Sequence, residues 1–401
     1  MKRPPHSRPP PQQEHETLDD PSSSSEIALP SLPPIIRRTN RALHCLYSTE
    51  INPNETVWRD RYHFLLSRGY KLRPRYHPEW TPSWLETSAD PWNCEDGIEQ
   101  FAPMVMDATR QGDGKVVCLK RSERKSDEVE IGRYLSSSHV SGSRRNHCVE
   151  ILDFFSDPLT PNVQYIAMPV LRSFDDPEFG TIGEVVDFVT QVLEGMEFMH
   201  SQLVAHGDLT GPNIMMDARP ILPHGWHFVA DHCTPNGLDP LTPLSRIDRP
   251  VRYVIVDYDV SIRMRPGQPH LINDNGGRDR DPPELATRRP YDPFKLDVFT
   301  LGNVYNKEFY QKYLGLDFLA DLMKEMMTPD FSKRPSAHAA LQQWLMVRSS
   351  LNVSMARWRL RRQSESIGER VVLDTVAAAR ESLHSVKRLF HGEEKKAWAT
   401  T

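Results

Sequence analysis

The stretch HGDLTGPNIMMD, residues 206–217, decides which fold this sequence predicts. Asp208 is followed five residues later by Asn213, with a histidine two residues before the aspartate and an apolar pair after the asparagine. A carboxylate can accept a proton from a hydroxyl group, and an amide oxygen can bind a metal ion, so one short loop carries both chemistries. His-x-Asp recurs by chance in a chain of this length. The neighbouring motifs must therefore show whether this loop is a functional site.

Composition sets the class of protein that we expect. The chain has 401 residues, 38% hydrophobic content and a formal charge of -5, and its mean hydropathy is -0.56. No run approaches the roughly 18 apolar residues of a membrane span, and no secretory signal is readable at the start. The five cysteines do not resemble a disulfide framework. We therefore expect an intracellular protein, cytoplasmic or nuclear, with no membrane partner.

Two regions precede the first clear motif. Residues 1–40 are rich in Pro, Ser and charge, which predicts a disordered tail. Residues 41–100 mix Trp, Tyr and Phe with Arg and Lys. Such a mixture can bind single-stranded nucleic acid, but large aromatics without a repeat more often dock on an adjacent domain. We therefore expect an extension packed on the following domain, and the net negative charge also disfavours a nucleic-acid partner.

Residues 104–121 show the pattern of a β-hairpin, with a QGDG turn between two apolar runs. The second run ends on Lys120, and a lysine on a buried strand requires an acidic partner. The following segment predicts a helix that carries Glu128 and Glu130. Glu128 is the first candidate partner, Glu130 is the second, and an ordinary surface salt bridge is the alternative.

Helical and strand patterns continue on either side of the opening stretch. Apolar residues at helical spacing predict a helix over residues 181–202. A Pro-, Gly- and His-rich insert covers residues 218–250, and its histidines with Cys233 match no zinc spacing. The strand RYVIVDYDVS follows and leads to Asp257, whose charge next to a buried strand indicates a functional role if Asp208 and Asn213 lie beside it.

Seven features then stand in a recognisable order. They are VCLK ending at Lys120, a helix with Glu128, HGDLTGPN at residues 206–213, DYD at residues 257–259, DPPE ending at Glu284, DVFTLG beginning at Asp297, and KRPSAHAAL with Arg334. In this order they resemble the eukaryotic protein kinase family over about residues 100–347. The likeness is strongest to kinase-like proteins of basidiomycete fungi, which share the GYKLRPRY-type segment and the long insert.

The resemblance implies an α+β fold with two lobes, a small mainly β N-lobe and a larger mainly α C-lobe. The kinase-like domain would cover residues 101–347 and include the insert at 218–250. Residues 348–401 would form a helical extension on the larger lobe. Within that extension, RWRLRR at residues 357–362 could be a partner-binding patch, although we expect a solvated helix face.

The resemblance also implies roles for five polar residues. Lys120 would hold the α and β phosphates of ATP and would be positioned by Glu128. Asp208 would accept or orient the proton of the substrate hydroxyl. Asn213 and Asp257 would hold magnesium.

Apolar residues of the nucleotide site follow from the same resemblance. Cys118 and Met215 would sandwich the adenine, Met168 would be the gatekeeper, and the segment from Pro169 to Leu171 would be the hinge. Two further features would be structural: Asp297 would brace the catalytic loop, and a pair of Glu284 with Arg334 would fix the substrate-side segment.

Several positions depart from the family pattern. No glycine occurs between Met104 and Arg110, so a glycine-rich phosphate loop is missing there. Gly207 stands where an arginine is usual, and Thr210 replaces a lysine that steadies the γ-phosphate; the latter change removes positive charge where the transition state is negative. Asp259 replaces a glycine and adds a carboxylate.

One inference connects Gly207 with the segment that follows Asp257. The missing arginine normally grips a phosphorylated activation loop, and residues 262–286 contain no Ser, Thr or Tyr. We therefore predict that activity is not switched by phosphorylation of this loop. Ser261 is the only candidate acceptor.

The sequence leaves three functions open. The leading hypothesis is an ATP- and magnesium-dependent Ser/Thr protein kinase with an unknown protein substrate. The second is a pseudokinase scaffold with weak or no nucleotide binding, which the missing glycine loop, Thr210 and Asp259 support. A small-molecule phosphotransferase is the third, and the DPPEL and KRPSAHAAL motifs count against it.

Overall fold

The computed structural model has a mixed α and β architecture. It describes residues 49–123, 127–267, 269–274, 276–287 and 289–391. The predicted tail at residues 1–40 lies outside these ranges. The strands are β1 Tyr70–Lys71, β2 Val105–Arg110, β3 Val116–Glu123, β4 Asp153–Ser156, β5 Val163–Pro169, β6 Arg172–Ser173, β7 Val204–Ala205, β8 Ile214–Asp217, β9 Arg252–Ile255, β10 Ile262–Arg263, β11 Tyr313–Leu314 and β12 Arg361–Arg362.

Helices make up most of the remaining regular structure. The α-helices are α1 Pro53–Arg59, α2 Tyr62–Ser67, α3 Ser83–Thr87, α4 Glu128–Ser136, α5 Ser138–Ser141, α6 Ile182–Ser201, α7 Pro283–Thr287, α8 Pro293–Val304, α9 Ala320–Met326, α10 Ala337–Ser350 and α11 Ile367–His391. Short 3-10 helices cover Pro74–Tyr76, Pro91–Asn93, Glu95–Gly97, Gly211–Asn213, Asp317–Leu319, Phe331–Lys333 and Val353–Arg357, and a π-helix covers Tyr305–Tyr310. In the described part of the chain, no helix combines the length and apolar character needed to cross a membrane.

A five-stranded antiparallel sheet has the order β1-β2-β3-β5-β4. The predicted hairpin is confirmed as β2 and β3, and Arg110 contacts Asp113 across its turn. Side chains alternate along β3, so Val117 and Leu119 are buried in one core while Lys120 lies on the other face. The hairpin therefore presents Lys120 to the site described below.

The described part of the aromatic segment, residues 49–100, forms part of this sheet as well as packing on it. Trp58 and Tyr76 are fully buried in a core that also contains Leu119 and Tyr165. The strand β1 lies within the segment and pairs with β2. The connection from β1 to β2 consequently spans residues 72–104 and holds a single glycine, Gly97.

A buried ion pair holds this connection to α1. Arg75 and Glu55 are both fully buried, and two guanidinium nitrogens donate to the carboxylate oxygens at 3.0 Å each. The Tyr76 hydroxyl and the Gln100 backbone N–H also donate to Glu55. Burial raises the pKa of Glu55, but hydrogen bonds from Arg75 and its neighbours outweigh burial and hold that pKa below its usual range.

The second core forms around α6, which confirms the helix predicted for residues 181–202. Thr181 caps its first turn by accepting a hydrogen bond from the Glu184 N–H. Its apolar face is buried against α10 and β9, and the Trp344 indole donates to the Thr190 hydroxyl at 2.9 Å. This helix delivers the chain directly to residues 206–217.

The helix face predicted for residues 357–362 was wrong. Only Arg357 is helical, as the last residue of a 3-10 turn, and the chain then becomes extended because Leu360 donates its N–H to the Gly180 carbonyl. The arginines are held by acidic side chains. Arg359 contacts both Glu365 and Asp374 at 2.7–2.8 Å.

The Glu55–Arg75 pair gives a test of the fold. Replacing Glu55 by Ala removes the closest carboxylate from the buried Arg75 guanidinium and leaves it with the Glu99 carboxylate, 3.6 Å away, so the free energy of unfolding should fall by about 3 kcal/mol. Urea denaturation followed by circular dichroism measures this loss. Glu79→Ala removes an exposed glutamate from the same segment and is the control. Equal effects of the two substitutions would contradict a structural role for the pair.

Candidate active site

Lys120 joins three separate parts of the fold. Its ammonium group contacts the Glu128 carboxylate on α4 and lies 2.7 Å from Asp257 Oδ1, just beyond β9. The Ser122 hydroxyl also donates to Glu128, at 2.6 Å. Glu128 is buried whereas Glu130 is exposed, so the structure places Glu128 against the lysine.

The contact shifts the pKa values of Lys120 and Asp257 in opposite directions. Partial burial lowers the pKa of Lys120, but Glu128 and Asp257 outweigh it and raise that pKa above its ordinary value. Burial raises the pKa of Asp257, but Lys120 outweighs it and holds that pKa below the ordinary range. The stabilisation from Asp257 is therefore present above about pH 4 and is lost as pH falls through its folded-state pKa.

Asp208 and Asn213 lie together at the turn that follows β7. The Asn213 amide nitrogen donates to the Asp208 backbone carbonyl at 2.8 Å and to its carboxylate Oδ2 at 2.9 Å. Both side chains are buried. Since these bonds occupy the amide nitrogen, its oxygen is the atom that remains for a metal ion.

Asp297 holds this turn through hydrogen bonds to its backbone. Its carboxylate, which is 1% exposed, accepts the backbone N–H groups of His206 at 2.7 Å and Gly207 at 2.8 Å. The His200 Nε2 atom lies 2.9 Å from the same carboxylate. The loop is thus fixed through its backbone, and the Asp208 side chain faces the cavity that is described below.

A steric constraint also explains why glycine occupies position 207, in addition to the reason considered from sequence. Its φ of +79° is in the left-handed region, and an added Cβ would lie 2.7 Å from the Val260 carbonyl oxygen. A side chain at this position would therefore require both strain and displacement of the segment after Asp257.

Asp257 itself adopts a left-handed conformation, with φ of +70°. The next residue, Tyr258, is buried, and its hydroxyl bonds to the backbone of Ile255 and Val149. This anchoring turns the Asp257 carboxylate towards Lys120. A cavity of about 310 Å³ is lined by Asp208, Asn213, Asp257, Asp259, Val260, Gly276, Gly277, Arg278 and Arg280.

The apolar residues assigned to the nucleotide base lie on two sheets. Cys118 is opposite Met168 in the five-stranded sheet. Met215 lies on β8, in a three-stranded sheet with β6 and β9, and Met168, Leu171 and Met215 all pack on the second core. Burial raises the pKa of the Cys118 thiol to about 12, so this cysteine remains a neutral thiol at physiological pH.

The donor chemistry of the site suits magnesium better than zinc. Asp257 and Asn213 offer a carboxylate and an amide oxygen, and Mg²⁺ commonly uses one or two protein oxygens together with phosphates and water. Among the described residues, no group of three or more His, Cys, Asp or Glu is arranged to hold a metal ion. The insert contains histidines that could in principle bind a metal ion. One of them, His227, is buried and instead contacts a carboxylate, with its Nε2 atom 3.2 Å from Glu95 Oε1.

The segment after Asp257 is held at both ends. Ser261, the phosphate acceptor considered from the sequence, is buried and donates its hydroxyl to the His206 carbonyl. Further on, Arg334 and Glu284 form two parallel hydrogen bonds of 2.5 and 2.7 Å. The structure thus brings together the Glu284–Arg334 pair named in the sequence analysis.

Sequence reasoning missed Arg278 and Gly277. The Arg278 backbone N–H donates to Asp208 Oδ1 at 2.7 Å, and its guanidinium lies near both Asp208 and Asp257. A signal was available, because a Gly-Gly pair at residues 276–277 followed by a basic residue indicates close backbone approach.

No protein-family model matches the chain, and a search of curated proteins gives no significant match.

Substitution of Gly207 tests directly how closely the turn before Asp208 packs against Val260. Gly207→Ala should lower the free energy of unfolding by at least about 1 kcal/mol, because alanine is strained at this φ and meets the Val260 carbonyl. Gly142→Ala is the matched control, since Gly142 has φ of -69° and open space around it. Chemical denaturation of the two variants measures the difference. Equal stability of both would show that Gly207 is not sterically required.

Proposed function

We propose that this protein is a magnesium- and ATP-dependent kinase that phosphorylates a hydroxyl group of a protein substrate. The observation that carries the proposal is the arrangement of Lys120 between Glu128 and Asp257. Phosphoryl transfer requires a cation for the phosphates and carboxylates for the metal ion. Lys120 and Asp257 would supply these, and Asp208 with Asn213 line the same cavity as Asp257.

The sheet order supports a two-lobed, protein-kinase-like fold. The β1-β2-β3-β5-β4 sheet with α4 would be the smaller lobe, and the core around α6 would belong to the larger one. The nucleotide would then lie between the lobes, next to Cys118, Met168, Leu171 and Met215.

Each polar residue has a defined task in this mechanism. When bound, magnesium ATP would supply the transferable phosphoryl group and the metal charge. Lys120 would hold phosphate oxygens and is itself oriented by Glu128. Asp257 and Asn213 would ligate the metal. Asp208, whose carboxylate is oriented by Asn213 and by the Arg278 N–H, would orient the substrate hydroxyl and take up its proton.

A scaffold function is the second candidate, and the connection between β1 and β2 favours it. In kinases a short glycine-rich loop covers the phosphates, whereas residues 72–104 form a long connection here with only Gly97. Thr210 also lacks the positive charge of a lysine. Under this alternative the protein would bind partners and would transfer no phosphate.

Transfer of radiolabelled phosphate from ATP separates the two functions. The wild type should label itself or a general protein acceptor, and Asp208→Asn should reduce the rate by about 10²–10⁴-fold because the proton acceptor is lost. Asp317→Asn, at an exposed position outside the site, is the control and should retain activity. Equal labelling by wild type and Asp208→Asn would contradict catalysis at this site, and ATP binding without any labelling would favour the scaffold.

A further inference from the structure

The loop at residues 276–278 lies directly on the catalytic turn. The Gly277 N–H donates to the Gly207 carbonyl at 3.0 Å, and the Arg278 N–H donates to Asp208 Oδ1 at 2.7 Å. Two consecutive backbone bonds thus hold this loop against the turn that carries Asp208. The base of the Arg278 side chain is consequently fixed beside that carboxylate.

Gly277 makes this approach sterically feasible. A Cβ atom added at Gly277 would lie 2.2–2.4 Å from atoms of the Asp208 side chain, a separation that real Cβ atoms do not show. Any other residue would push the loop away from Asp208. The glycine therefore determines how closely Arg278 can approach the site.

The Arg278 guanidinium stands between the two catalytic carboxylates. Its Nε atom is 3.6 Å from Asp208 Oδ2, and its Nη2 atom is 3.9 Å from Asp257 Oδ2. These separations exceed hydrogen-bond distance, and the side chain is 59% exposed. The guanidinium is thus attracted to both carboxylates, while these two contacts leave its hydrogen-bond donors available to another acceptor.

We propose that Arg278 binds the terminal phosphate of the nucleotide and supplies the positive charge that Thr210 lacks. This inference rests on the proposed kinase function and assigns a residue within the same site. A guanidinium group offers several donors in a planar fork that matches phosphate oxygens. Its position beside Asp208 places that charge where a phosphoryl group must meet the substrate hydroxyl.

The opposite role would be that of a plug. A cation between Asp208 and Asp257 could neutralise both carboxylates and compete with magnesium. The two roles predict opposite effects when the charge is removed, because a phosphate-binding arginine strengthens ATP binding whereas a plug weakens it.

Calorimetric titration with Mg-ATP and Mg-ADP tests the proposal, since only ATP carries the γ-phosphate. Arg278→Gln should weaken Mg-ATP binding about tenfold or more, because charged hydrogen bonds are lost. The same variant should change the affinity for Mg-ADP less than about twofold. Arg278→Lys, which keeps the charge, should lie between wild type and Arg278→Gln for Mg-ATP. Arg265→Gln removes an exposed charge from the same segment and should leave both affinities unchanged.

Three results would overturn the inference while leaving the proposed function standing. They are unchanged Mg-ATP affinity in Arg278→Gln, equal losses for Mg-ATP and Mg-ADP, and tighter Mg-ATP binding, the last of which would identify a plug. A wild-type protein that binds neither nucleotide would instead contradict the proposed kinase function itself.

Discussion

The contact of Lys120 with Glu128 and Asp257 is the interaction on which the site depends. An ammonium group on a largely buried strand is costly unless it is paired, and here it has two carboxylates from different parts of the chain. The contact sets the position of the strand β3 relative to α4 and to the segment after β9. Loss of either carboxylate would remove one of the two partners of the Lys120 ammonium and the contact to that part of the chain, so the three elements are energetically coupled.

Close backbone approaches complete the site around this contact. Gly207 lies against the Val260 carbonyl and Gly277 lies against Asp208, and neither position has space for a Cβ atom. Asp297 holds the turn that carries Asp208 through two backbone N–H groups. The backbone of the turn, the Arg278 N–H and the Asn213 amide together position the Asp208 carboxylate, which reduces the entropy lost when a ligand binds.

Features set by local pattern could be predicted from the sequence. The hairpin of β2 and β3 follows from its turn and apolar alternation, and the helix α6 follows from its apolar spacing. The sequence leaves two candidate partners for Lys120, Glu128 and Glu130, which are two residues apart on one predicted helix. The structure selects Glu128 because it is buried beside Ser122, whereas Glu130 points to solvent.

Features set by contacts distant in sequence could not be predicted. The Glu55–Arg75 pair and the long connection between β1 and β2 depend on where a two-residue strand joins the sheet. Arg278 reaches Asp208 across 70 residues of chain, and the Gly-Gly-Arg pattern at residues 276–278 indicates a close backbone approach without identifying its partner. At residues 357–362, pairing of the backbone with Gly180 replaced the helix that composition favoured.

We propose that Asp257 and Asn213 hold the metal ion of a bound nucleotide beside Lys120. Crystals grown with manganese and a non-hydrolysable ATP analogue test it most directly, because anomalous scattering locates the metal independently of the protein. We expect an anomalous peak within ligand distance of the Asp257 carboxylate and the Asn213 amide oxygen, with phosphate oxygens at Lys120. A nucleotide and metal bound elsewhere on the protein, or crystals that contain neither, would contradict it.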